Sequence, residues 1–162
     1  MRMRILTMIA ATALLATAAD GQQRNPNRRA TLYVSMTGLQ EVPGPGDPDG
    51  NGTVELRVVP RQGSICWNLY ARAIGTATAA HIHRGGAGAN GPPVLALTTP
   101  DANGRSQGCA TVDPNLAREI GMMPQEFYVN VHNEALPGGA IRGQLRDISA
   151  PFQPIQQQRT GG

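Results

Sequence analysis

The chain has 162 residues and a formal net charge of +3, from 14 basic and 11 acidic side chains, which is the length of one domain with its flanks. Every basic residue is an arginine, and between residues 30 and 148 eight Arg face ten Asp plus Glu, so the positive excess belongs to the ends. With three Tyr, two Phe and one Trp for base stacking, this distribution excludes a nucleic-acid-binding face.

Residues 1–18 read as a secretory signal. Arg2 and Arg4 give a positive start, residues 5–15 a short apolar run, and Ala16-Thr17-Ala18 a small-residue cleavage site. The run is shorter than the roughly 20 residues of a membrane-spanning helix. No later stretch has the composition to cross a membrane, so the mature chain is expected to be secreted or periplasmic. Residues 19–29, with Arg24, Arg28 and Arg29, read as a flexible polar linker before a domain at 30–148.

Residues 30–36 alternate apolar and polar and predict a first strand. The run 42–52 is turn chemistry, rich in Pro, Gly and Asp. Residues 53–59 and 64–72 predict two strands joined at Arg61-Gln62-Gly63. Ile65, Trp67 and Leu69 share one face of the second, and Cys66, Asn68 and Tyr70 the other. The fourth strand carries His81 and His83 on one face with Ile82 opposite. Residues 94–98 and 107–112 predict two more, separated by a Pro-Asp-Ala-Asn-Gly turn. Residues 114–120 predict the one helical turn, with Asp113 as N-cap and Pro114 in the first helical position. In the seventh strand, 127–133, Tyr128, Asn130 and His132 share a face, with Phe127, Val129 and Val131 behind it. Residues 140–146 predict the last strand, and 149–162 a disordered tail. Eight short strands without an internal repeat predict an all-β fold, a single antiparallel sandwich or barrel.

Two cysteines in an exported chain predict a Cys66–Cys109 disulfide. Closing that loop stabilises by about 4 kcal/mol in the chain-entropy model. Two free buried thiols, or two copper ligands without CxxC spacing, are the weaker alternatives.

His81, His83 and His132 are all the histidines of the chain. If their strands are neighbours, three neutral imidazoles converge, a set that suits copper or zinc. The alternative is a polar network that pins the adjoining Gly-rich loops. Asp47-x-Asp49-x-Asn51-Gly52 has the start of a calcium loop but Val58 where the final Glu belongs, and reads as a turn. Asn51-Gly52-Thr53 has the form of a glycosylation site. Met122-Met123 offers soft sulfur but reads as packing. No nucleophile setting, phosphate loop or carboxylate pair is present, and no catalytic residue is assigned.

The segments AHIHRGGAGANGPPV, FYVNVH and LPGGAIRGQL, in that order, resemble the CHRD domain, named from chordin, over about residues 32–146. The resemblance implies an immunoglobulin-like Greek-key β-sandwich distantly similar to copper/zinc superoxide dismutase, in which an HxH strand and a later histidine hold copper. The metal-bridging histidine and the zinc-loop cluster of that enzyme are missing here. The resemblance therefore implies an open site at His81, His83 and His132, for copper ahead of zinc, in place of a two-metal centre. Glu41, in Gly38-Leu39-Gln40-Glu41-Val42-Pro43, matches the family pattern as a ligand, a support for an imidazole, or an arginine's partner. Arg142 is comparable to the anion-guiding arginine of the dismutase, with Arg84 second, although a salt bridge holding the last strand is the preferred role. The expected function is an exported binding module whose partner is a transition metal ion. A superoxide-dismutase-like redox enzyme and a domain that binds another extracellular protein are the alternatives.

Overall fold

A computed structural model describes residues 25–148. The expected signal, most of the linker and the expected tail lie outside the described residues. No helix among the described residues is long and apolar enough to cross a membrane.

The strands follow the alternation of the sequence. β1 (Ala30–Thr37) turns Ala30, Leu32, Val34 and Met36 inward, β2 (Asn51–Val59) Val54, Leu56 and Val58, and β3 (Ser64–Arg72) Ile65, Trp67, Leu69 and Ala71. The ladders set these in rows across the sheet, Leu32 against Leu56 against Trp67 and Val34 against Val54 against Leu69. A one-residue slip would turn every row to solvent, so burial fixes the register. Between β2 and β3 the chain turns through Gly63 at φ +60, a left-handed position where a Cβ would also overlap the Val112 carbonyl oxygen.

β4 (Ala77–Arg84) and β5 (Pro93–Leu97) form a hairpin around a Gly-rich loop. After β6 (Arg105–Thr111) comes the one α-helix among the described residues, α1 (Pro114–Met122). Asp113 caps it, its carboxylate accepting from Asn115 N at 2.7 Å, and Ala117 and Ile120 are buried beneath it. β7 (Phe127–Asn133) and β8 (Ile141–Gln144) complete the eight expected strands. A ninth, β9 (Arg146–Asp147), pairs with β1 after the buried Leu145 breaks the ladder. Arg28, just ahead of β1, reaches Asp147 at 2.9 Å and ties the two ends of the domain together.

Every ladder is antiparallel, and the sheet runs β5-β4-β7-β8-β1-β2-β3-β6. It curls until β5 and β6 meet, so the predicted sandwich or barrel takes the form of a nearly closed barrel. At this seam no ladder joins the two strands. Instead Ser106 of β6 donates to the Thr98 carbonyl just past β5 and accepts from Trp67 Nε1 at 3.1 Å. Cys66 and Cys109 stand directly opposite in the β3–β6 ladder with Cα atoms 3.9 Å apart and form the expected disulfide, leaving no free thiol among the described residues.

Candidate metal centre

The fold places β4 beside β7, with His81 opposite Asn130, His83 opposite Tyr128 and Ala79 opposite His132. Ile82, Val129 and Val131 fill the barrel, so by alternation the histidines stand on the outer face. This brings the three expected residues together. One ring nitrogen from each of His81, His83 and His132 lies within 4.8 Å of the other two.

Backbone carbonyls orient two of the rings. His83 Nδ1 lies 2.9 Å from the Gly91 oxygen, and His132 Nδ1 lies 2.9 Å from the Pro137 oxygen. A carbonyl only accepts, so both Nδ1 atoms carry a proton, and in the neutral ring the Nε2 atom then presents its lone pair. His81 Nδ1 faces His132 Nε2 at 3.1 Å, and His83 Nε2 is buried without a partner. Burial first, then the neighbouring imidazoles, pushes the His81 pKa below its ordinary value. Burial likewise lowers His132, against an opposing pull from its bond to Pro137. Both effects favour the neutral rings that bind metals.

The outer face of β7 and β8 is covered. Tyr128 and Asn130 are 2% and 3% exposed although they point away from the core. The Gly-rich loop after β4 folds back over Tyr128. Gln144 Nε2 donates to the Gly85 oxygen at 2.7 Å, and Gly91 N donates to the Tyr128 hydroxyl at 3.3 Å. The loop passes so close to β4 that a Cβ on Gly91 would overlap the Arg84 carbonyl oxygen.

Arg142 holds this cover down. It is 2% exposed, and donates to Asn90 Oδ1 at 3.1 Å, Gly86 O at 3.1 Å and Ala89 O at 2.7 Å. Its guanidinium carbon lies 3.4 Å from the centre of the Tyr128 ring, and that ring stacks on His83 at 4.8 Å and 14°. The expected salt bridge is therefore replaced by bonds to loop carbonyls and an amide, and Arg142 forms no ion pair among the described residues. Arg84, the other cation considered, pairs with Glu119 and lies over the Phe127 ring at 4.8 Å.

Glu41 is not among the converging ligand atoms. It is 7% exposed, one carboxylate oxygen has no partner, and a Cβ on Gly139 would lie 2.5 Å from the carboxyl group. Burial pushes its pKa up to about 7, and the charge of Arg142 opposes that rise. Residues 47–50 form the predicted turn, with Asp47 Oδ1 accepting from Gly50 N at 3.2 Å, and Asn51 already begins β2. Tyr128, Asn90 and the carbonyls of Gly91 and Pro137 take part in the site without having been singled out. Only Tyr128 carried a signal, its place on the His132 face of the strand.

The class these features define is an all-antiparallel, nearly closed β-barrel with three clustered imidazoles on its outer face. Residues 32–145 match the CHRD domain, and the chain belongs to that family. No curated protein and no solved structure matches it.

Proposed function

We propose that this CHRD protein is an exported binding module that holds one transition metal ion, copper ahead of zinc, at His81, His83 and His132. The observation that carries this reading is the convergence of three ring nitrogens within 4.8 Å, with His83 Nε2 buried and partnerless. A polar network alone gives no reason to bury a lone pair without a donor, which is costly. The carbonyl bonds of His83 and His132 are the outer contacts by which proteins fix ligating imidazoles. Three protein ligands leave room for one more, from water or a small molecule. The Cys66–Cys109 bond fits an oxidising compartment and supports export.

The dismutase-like alternative needs a cation that meets an incoming anion. Arg142 has its donors on the loop and Arg84 is paired with Glu119, which favours a holding role over turnover. A second reading, docking of another extracellular protein, draws on the outer face of β2, β3 and β6. There Glu55, Arg57, Asn68, Gln107 and Cys109 line an open hollow of about 580 Å³.

Elemental analysis of purified mature protein after incubation with copper and removal of excess tests the main reading. One equivalent is expected in the parent and well under half of that in His83→Ala and His132→Ala. A parent that retains no copper would end the metal reading and leave the docking one.

A further inference from the structure

We propose that Arg142 makes the three-histidine site selective for a singly charged ion, so that it holds cuprous ion in preference to cupric ion or zinc. The inference rests on the metal reading above and specifies which ion the site takes.

The donors come first. All three are imidazoles, and among the described residues no carboxylate or thiolate joins the group. A bound ion therefore keeps its whole charge, where a site for a divalent ion gains from anionic ligands. The surroundings add charge of the same sign. Arg142 is buried, and its guanidinium carbon sits 3.4 Å from the centre of the Tyr128 ring. His83 stacks on that ring at 4.8 Å, and β8 and β4 flank β7, so the two approach Tyr128 from its two sides. Together these distances keep the guanidinium carbon within about 8 Å of the His83 ring centre. Glu41 lies near enough to feel Arg142 but forms no ion pair with it. The positive charge at the back of the site is thus incompletely offset. At an effective dielectric of about 20, a unit charge roughly 10 Å away disfavours each further positive charge on the ion by on the order of ten-fold.

The test is a ratio of two affinities. Mature protein is titrated with cuprous ion under anaerobic ascorbate and with cupric ion in air, each against a chromophoric chelator of known affinity. The parent is expected to bind cuprous ion more tightly. Arg142→Gln should move the ratio toward cupric ion by on the order of ten-fold, equivalent to about 60 mV lower in the potential of the bound copper. Arg142→Lys keeps the charge and loses the fork, so the ratio should stay while both affinities fall together. Glu41→Gln leaves every bond of Arg142 in place. At about pH 8, where the native carboxylate is ionised, it should move the ratio toward cuprous ion. That variant reads the charge effect even where Arg142→Gln fails to fold. A parent that prefers cupric ion, a lysine variant that behaves like the glutamine one, or no movement in Glu41→Gln would overturn the proposal with the metal site intact. Failure to bind either copper ion would take the three-histidine reading down with it.

Discussion

Glu41 and Arg142 are buried charged residues of the described chain, and they do not form an ion pair with each other. Burial lifts the Glu41 pKa from 4.5 to about 7, with Arg142 pulling the other way. The folded state then holds its proton more tightly than the unfolded chain does, so stability is greatest at acid pH and declines between the two values. A shift of that size amounts to about 3 kcal/mol once both states are ionised. Glu41→Gln should therefore stabilise the domain at about pH 8, by on the order of 2 kcal/mol, and change little near pH 4. Urea unfolding at the two pH values checks this, and a glutamine variant less stable at the higher pH would sink it.

The Gly-rich loop between β4 and β5 shows what a short segment must satisfy to serve a site. Gly91 supplies the carbonyl that orients His83, and its own α-carbon lies against Arg84. Gly91→Ala should push the loop away, cost about 1–3 kcal/mol, and weaken copper retention. Gly88, at φ +77 with open space around it, is the comparison. Gly88→Ala should cost on the order of 1 kcal/mol in backbone strain and leave copper retention alone, read by thermal unfolding and elemental analysis. The sequence made these strands legible because alternation survives in β1, β2 and β3, and Asp113-Pro114 announces α1 by its chemistry. The two histidine strands were legible as well. The role of Arg142 was not, because its partners are mainly carbonyls of Gly86 and Ala89, which any residue carries. The burial of Glu41 escaped for a related reason, since its cage is built from glycines scattered from Gly46 to Gly139. β9 escaped because Leu145 interrupts the ladder that alternation would have continued.

At the scale of the barrel, the Cys66–Cys109 bond closes a sequence separation of 43 residues between strands already joined by a ladder. Reduction should lower stability by about 4 kcal/mol in the chain-entropy model. The ladder should still form, so far-ultraviolet circular dichroism should be retained while the unfolding midpoint falls. Loss of the β signal on reduction alone would contradict this. The seam sets a different kind of limit. A sheet that closes fully offers a neighbour no edge to pair with. Here no ladder spans the seam, and the hydrogen bond across it is the one that Ser106 donates to the Thr98 carbonyl, beside the buried Leu97. Amide exchange should therefore enter the sheet between β5 and β6 before it reaches β1. With Ser106→Ala, light scattering should rise with concentration, as strands bared on one copy add to the exposed edge of the next. One serine side chain thus bears on whether copies of this barrel stay apart when they are crowded together.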